Sequence, residues 1–264
     1  MGRRYAKNHY SNRRSKWPKY VGILLTFTFI YLFAHETSIL FPLVTNKNSP
    51  KYLPNGERVA YPGENSITVK GVLPRVKSIQ NGVFIEMGAN EGLNSNSHYL
   101  EQKHGWHGLC IEAGPMNYGE LVKNRPKCTN INAVVAEKVG EQIFREFSGT
   151  LFGHSGFVDG RTTKEWDSLI ADHPDASYED LSITTNTMAG IFKENNIKNI
   201  DYFSLDVEGY EMKILAAYPF DDHPVRLWTI ESNKLDRKML LQFMGERNYL
   251  CFHYDNVNTI CEKK

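Results

Sequence analysis

Chemistry in this chain gathers in two short runs and one isolated acid. The first run is Glu86-Met-Gly88-Ala-Asn90-Glu-Gly92, which closes the apolar stretch GVFIEM. Glycines at these positions let a backbone turn tightly and come close to a ligand, and a helix N-terminus is expected just beyond. The isolated acid is Glu112, which ends a second apolar run, GLCIE, 26 residues after Glu86. A carboxylate there can accept both hydroxyls of a ribose, because its oxygens have lone pairs to spare. A glycine loop with an acid downstream reads as a nucleoside-cofactor site. A dinucleotide site wants G-x-G-x-x-G to cradle a pyrophosphate. Here the spacing is G-x-x-x-G, with Glu86 at the mouth of the loop, where it would repel a phosphate. That anion suits a ligand bearing an ammonium and a sulfonium, which is S-adenosylmethionine.

The second run is Asp206-Val-Glu208-Gly209-Tyr-Glu211, three carboxylates in six residues. Such a cluster is costly unless solvated or functional. The plain alternative is a solvated loop before a helix N-terminus, which favours acids. Methyl transfer is an in-line displacement at a sulfonium carbon, so an enzyme must align nucleophile, carbon and sulfur. A hydroxyl acceptor also needs a base for its proton. Asp206 is the first choice, expected to point into the cleft. Glu208 and Glu211, one helical turn apart, stand behind it. Glu231 ends a later strand and adds to the same wall. His98 reads as a helix-face histidine, while His154 and His173 read as solvated loop residues able to reach over the cleft. Nothing in the spacing demands a metal.

These residues need elements to position them. GVFIEMG and GLCIEAG are short apolar runs ending in glycine, and read as buried strands. Thr129 to Ala136, Asp201 to Asp206 and Val225–Glu231 continue the series. Helical stretches fall at Ser95 to Lys103, Pro115 to Asn124, Met188 to Asn195, Tyr210 to Ala217 and Leu235 to Arg247. Glu141 to Phe147 alternates as an edge strand does. Residues 148–180 read as an insertion with one helix at Thr163–Ala171, and Tyr249 to Cys261 as a closing hairpin. Strand–helix alternation predicts an α/β fold, Rossmann-like and doubly wound, with a mostly parallel sheet and a C-terminal antiparallel hairpin. Ligands in such a sheet lie beyond the carboxyl ends of its strands.

Over residues 82 to about 254 the chain resembles the FkbM-type methyltransferases, a class I Rossmann-like family. The resemblance rests on FIEMGANEG, GWHGLCIEAGPMNYGEL, IDYFSLDVEGYEMKIL and LWTIES, taken in the family's order. It implies that Glu86, Gly88, Asn90 and Gly92 hold the methionine part of S-adenosylmethionine. Glu112 then holds the ribose, Ala133 flanks the adenine, and Asp206 faces the transferable methyl group. One departure is Thr187-Met-Ala189, where the family usually has Thr-Leu-Asp; a change in local capping is expected there. The acceptor pocket is not predicted by the resemblance.

Residues 1–19 hold seven basic side chains and no acid; removing them from the 31 basic residues leaves 24 against 30 acidic ones, so the remaining chain carries −6. A mildly acidic body argues against nucleic acid, which needs a basic face. Next come fifteen uncharged residues, Tyr20 to Ala34, and a second apolar piece, Ile39 to Val44. As a helix the first piece rises about 22 Å, short of the roughly 20 residues that a thick bilayer asks for. A cleaved signal peptide and a buried helix are the alternatives. A signal anchor across a thin early-secretory membrane fits best. The organisation expected is a cytosolic basic tail (1–19), a transmembrane helix (20–44), a stem (45–80) and a methyltransferase domain (81–264). Positive-inside orientation makes this a single-pass type II membrane protein of the Golgi or endoplasmic reticulum, with a lumenal catalytic domain. There, Cys251 and Cys261 could bridge the hairpin, whereas Cys110 reads as a free buried thiol. The expected acceptor is a glycan or small-molecule hydroxyl. The rival readings are a catalytically silent trafficking or binding protein, and a lumenal glycosyltransferase whose Asp206-x-Glu208 holds a metal.

Overall fold

The computed structural model describes residues 51–52, 58–59 and 67–264. The basic tail and the expected transmembrane helix lie outside the described residues. Among those described, no helix is long and apolar enough to cross a membrane. A small antiparallel pair, β1 (Lys51–Tyr52) and β2 (Arg58–Val59), precedes a π-helical turn at Ile67–Val72 and helix α1 (Leu73–Val76). Strand and helix then alternate as β3 (Val83–Met87), α2 (His98–His104), β4 (His107–Glu112), α3 (Pro115–Asn124) and β5 (Thr129–Asn132). The middle of the chain supplies β6 (Val134–Val135), β7 (Glu141–Ser148), β8 (Gly156–Phe157), α4 (Thr163–Ala171) and β9 (Ser177–Asn186). Next come α5 (Met188–Glu194), β10 (Ile200–Leu205), α6 (Glu211–Ala217) and β11 (Val225–Glu231). Helix α7 (Arg237–Gly245) and the hairpin β12 (Tyr249–His253) and β13 (Asn258–Lys263) close the chain.

The main sheet has seven strands in the order β12-β13-β11-β10-β3-β4-β5. β5, β4, β3, β10 and β11 run parallel, and β13 inserts antiparallel beside β11. Strand order reverses between β3 and β10, so the switch point, and the crevice it opens, lies past Met87 and Leu205. Parallel strands are covered on both faces, which is why VFIEM, YFSL and LWTI are almost continuously apolar. One face buries Ile85, Phe203, Trp228 and Leu215. The other buries Phe84, Tyr202 and Leu227 against Leu100, Ile67, Val72 and Val76, so the core reaches upstream of residue 81. Phe203 and the fully buried Trp228 stack with ring centroids 4.3 Å apart. Helix ends follow local chemistry: Gly105, at φ 66°, stops α2, and a capping box of Thr162 and Glu165 starts α4. Thr187, in the departure from the family pattern, caps α5 through the Gly190 amide at 3.1 Å.

Three expectations need correcting. Thr129 to Ala136 is not one strand: β5 stays in the main sheet, whereas β6 joins a second, four-stranded sheet ordered β6-β9-β7-β8. β7 is no edge of the main sheet; it pairs along its length with β9. The insertion is therefore a packed layer, in which Phe147, Leu151 and Trp166 form a small core of their own. Cys110 is not a free thiol. The β4–β5 register sets Leu109 beside Thr129, which brings Cys110 within 6.1 Å of Cys128 (Cα to Cα), and the two form a disulfide. Cys251 and Cys261 sit directly opposite across the terminal hairpin and form the second disulfide.

Candidate active site

At the switch point the carboxyl ends of β3 and β10 touch. The Asp206 amide donates to the Met87 carbonyl at 3.0 Å. A Cβ on Gly88, whose φ is +82°, would stand 1.7 Å from the Asp206 carbonyl oxygen, so only glycine fits. The amides of Gly88 and Ala89 both donate to the Ile111 carbonyl, each at 3.0 Å, tying the loop to β4. Gly92, at φ +83°, lets the loop lie against Arg125, whose Cγ would be 2.6 Å from an added Cβ.

Glu86 does not occupy its expected place at the loop mouth. It is 3% exposed and points behind the loop. It accepts from the hydroxyls of Ser95 and Ser97 and, at 2.8 Å, from the Asn96 amide. Arg125, fully buried, stands 3.5 Å from Glu86 and bonds Glu101 at 2.6 Å, Ser95 at 2.7 Å and the Gly92 carbonyl at 3.3 Å. The acid-rich loop is thus braced from behind by a buried ionic network, and its open face belongs to Gly88 and Asn90.

That face borders a cavity of about 440 Å³. Gly88 and Asn90 form one edge, Glu112 and Ala133 to Val135 a second, and Asp206 to Glu208 a third. The insertion closes the fourth side with Phe144, Thr150 and Phe152 to Phe157. Glu112 is held from two directions: Oε2 accepts the Asn90 amide at 2.7 Å and Oε1 the Gly114 amide at 2.8 Å. Each oxygen keeps a second lone pair. Burial raises the Glu112 carboxyl to about 7 against the pull of those two amides, with Glu146 and Glu91 adding to the rise.

Asp206 and Glu208 line the cavity and, with Glu231 beside them, each offers a carboxylate oxygen within 4.8 Å of the others. Glu208 adopts φ 60°, a left-handed conformation that a glutamate rarely takes. Its Oε2 receives both Arg161 Nη2 from the insertion and Lys234 Nζ from the loop after β11, and His154 Nδ1 lies 3.4 Å from Oε1. Burial alone would raise Glu208. The His154 ring beside Oε1 and the charges of Lys234 and Arg161 win, holding it at about 2. Burial and Glu208 push Glu231 up.

Glu86, Gly92, Glu211, Glu231, His98 and His173 all fall outside the cavity lining. Glu211 turns inward and accepts the amides of Val207 at 2.9 Å and Gly209 at 3.1 Å, bracing the loop that carries Glu208. Burial, then Glu231, raises it to about 7. It is a loop strut, not a partner of Asp206 in chemistry. His98 starts α2 and bonds Gln102 at 3.0 Å, and burial followed by Arg125 lowers it to about 4. His173 bonds the Leu169 carbonyl at 2.9 Å. His154, read from sequence as a solvated loop histidine, instead lines the cavity.

The profile of the methyltransferase FkbM domain matches residues 86–251, which spans the loop, Glu112 and the whole acidic end. The chain belongs to the FkbM methyltransferase family. No curated protein matches it. Among solved structures it is similar to the methyltransferase FkbM of Methylobacillus flagellatus, at 11% identity and a TM-score of 0.40, over 69% of this chain and 43% of that one. It is also similar to the precorrin-6y C5,15-methyltransferase of Geobacter metallireducens, at 11% identity and a TM-score of 0.42, over 78% and 94%. M. capricolum TrmK, solved with S-adenosyl-homocysteine, aligns at 14% identity and a TM-score of 0.35, over 74% and 69%.

The cofactor of the family is S-adenosylmethionine, and the donors of this FkbM-family chain fit it. Glu112 faces the cavity with lone pairs to spare for a ribose. Ala133, Val134 and Val135 give an apolar wall for a base, and Asn90 and Asp206 supply polar atoms toward an amino-acid portion. Sequence reading missed Arg161, Lys234 and the Phe152 to Phe157 wall. The one local hint was Gly153-His-Ser-Gly156, a run of small residues behind a phenylalanine, of the sort that lets backbone approach a ligand.

Proposed function

We propose that this chain transfers the methyl group of S-adenosylmethionine to a hydroxyl of a glycan or other secretory-pathway acceptor, from a lumenal domain held by an N-terminal membrane anchor. The observation that carries this reading is the polarity of the cavity: a ribose acceptor, Glu112, at one end and the group Asp206, Glu208 and His154 at the other. When bound, the cofactor supplies an electrophilic methyl carbon on a sulfonium. Glu112 orients the ribose, and Gly88 and Asn90 give the backbone edge along which the amino-acid portion lies. Asp206 stands at the carboxyl end of β10, where an acceptor hydroxyl can lose its proton to a carboxylate. Glu208 receives Arg161, so the insertion is tied to the loop after β10 at the cavity's edge. The two disulfides support an oxidising compartment, since such bridges persist in the secretory pathway and are rare in the cytosol.

The test is to incubate the full-length chain with S-adenosylmethionine labelled on its methyl group and a panel of secretory glycans and glycolipids. Label is expected in a base-stable product with wild type, and none with Asp206→Ala at S-adenosylmethionine concentrations that saturate the variant. Equal labelling by wild type and Asp206→Ala would refute the role of Asp206. No cofactor binding by the folded wild type would refute the reading as a whole.

A further inference from the structure

The acidic cluster at the cavity's edge has the composition of a divalent-cation site, since hard cations take carboxylate oxygens and the lining residues Asp206 and Glu208, with Glu231 beside them, supply three within 4.8 Å. Its central position is already filled by the chain itself. Lys234, three residues after Glu231, places Nζ on Glu208 Oε2 and 3.4 Å from Glu231 Oε2. Arg161 Nη2 reaches that same Glu208 oxygen from the insertion. A carboxylate oxygen has two lone pairs, and two cationic donors use both. The remaining Glu208 oxygen faces His154 Nδ1 at 3.4 Å. Glu208 Oε2 is thereby spent, and a metal brought to Glu231 and Asp206 would meet the ammonium beside it. Lys234 has the burial to make this pairing persist, its side chain being 30% exposed and that of Glu208 12%.

We propose that Lys234 is the resident cation of the Asp206, Glu208 and Glu231 cluster beside the cavity, and that in methyl transfer by this chain its ammonium holds the place a divalent metal would take there. The proposal rests on the methyltransferase reading for the words "methyl transfer", and on the geometry alone for the position of the cation. A metal in this place would bind the acceptor oxygen and lower its pKa. An ammonium offers positive charge and N–H donors without a coordination site. Lys234 therefore acts as a positioning residue. It offsets the repulsion between Glu208 and Glu231 by pairing with both, and leaves the acceptor proton to a neighbouring carboxylate, Asp206.

The test uses the full-length chain in mild detergent, stripped of metal, with Mn²⁺ as the probe followed by the electron paramagnetic resonance signal of the free ion. S-adenosyl-homocysteine affinity and the melting temperature are measured in parallel. Wild type and Lys234→Arg are expected to show no stoichiometric Mn²⁺ site. Lys234→Ala is expected to bind one Mn²⁺ at least about tenfold more tightly than wild type, because the three carboxylates regain free oxygens. Adding Glu231→Gln to Lys234→Ala should abolish that gain, which a merely structural lysine would not predict. A single micromolar Mn²⁺ site in wild type that Glu231→Gln removes would overturn the proposal. So would a folded Lys234→Ala protein with no gain in Mn²⁺ affinity. Failure of wild type to bind S-adenosyl-homocysteine would instead strike the methyltransferase reading, and the Mn²⁺ result would still decide where the cation sits.

Discussion

In the proposed reading Glu112 receives the ribose of the cofactor, and it sits in a place that resists its charge. Burial lifts its carboxyl to about 7, and the amides of Asn90 and Gly114 only partly compensate. Two ribose hydroxyls donating to it stabilise the ionised form further, so the bound pKa falls below the free one. Binding then releases protons near neutral pH, and affinity drops as pH falls through about 7. For one such group the dissociation constant at about pH 5.5 is about thirtyfold above its limiting value, or about 2 kcal/mol. Calorimetric titration of S-adenosyl-homocysteine across this range, in buffers of different ionisation enthalpy, reads affinity and proton release together. Glu112→Gln removes the titration. Its amide nitrogen would also face either the Asn90 or the Gly114 amide, so one of those donors loses its acceptor. Loss of one charged hydrogen bond, at about 1.5–3 kcal/mol, predicts roughly hundredfold weaker binding with no pH slope. Wild-type affinity that is flat between about pH 5.5 and about 7.5, or a Glu112→Gln variant that keeps the slope, would refute the reasoning.

The cofactor-free protein should lose stability as pH rises from about 5 to about 7.5: Glu112 and Glu211 have ordinary values of 4.5 and folded values of about 7, so the folded state holds more protons in that window. Each contributes up to about 3 kcal/mol, and Glu211→Gln should flatten the melting-temperature profile. Below about pH 4.5 the sign reverses, because Glu208 is held low, and its contribution fades as it is protonated; thermal melts at about pH 3 should be depressed unless Glu208 is unpaired. Gly88→Ala should cost more than about 3 kcal/mol and yield little folded protein, since its Cβ would lie 1.7 Å from the Asp206 carbonyl; a soluble variant with native cofactor affinity would contradict the packing. Non-reducing peptide mapping should recover Cys110–Cys128 and Cys251–Cys261, and each Cys→Ser change should destabilise by about 3 kcal/mol, given loops spanning 18 and 10 residues.

Where pattern and burial coincide, the sequence was readable. Val225–Glu231 and Thr163–Ala171 were expected to the residue, because each is a run of one period with clear stops. Glu112 and Asp206 were readable because strand ends at a switch point face the crevice. Side-chain direction was not. Glu86 and Glu112 both follow an apolar run before a glycine turn, yet one points behind the loop to Arg125 and the other into the cavity. No pattern separates them, for Glu86 is captured by Ser95, Asn96 and Ser97, polar residues nine to eleven positions on, with Arg125 behind them. The same holds for Glu211, which resembles a catalytic acid by spacing and becomes a strut because the Val207 and Gly209 amides lie within its reach. Cys110 was misread because its partner is fixed by the β4–β5 register, a tertiary fact.

The insertion shows why the acidic run could not be decoded by itself. Three acids in six residues look like excess negative charge until Arg161 arrives from the insertion and Lys234 from the loop after β11. Glu208 then becomes the point where three separate pieces of chain meet, and its left-handed backbone, at φ 60°, is what aims its carboxylate at them. A backbone of that kind costs about 1–3 kcal/mol and persists only where surrounding contacts over-determine it. Here a buried ion pair supplies the constraint, and removing one partner of such a pair costs about 3–5 kcal/mol. The strain and the pairing therefore support each other. Glu208 stays fixed because the insertion grips it, and the insertion stays over the cavity because Glu208 is fixed. The insertion and the loop after β11 thus meet on one residue, which explains why the domain keeps an ionised glutamate in a place where burial opposes it.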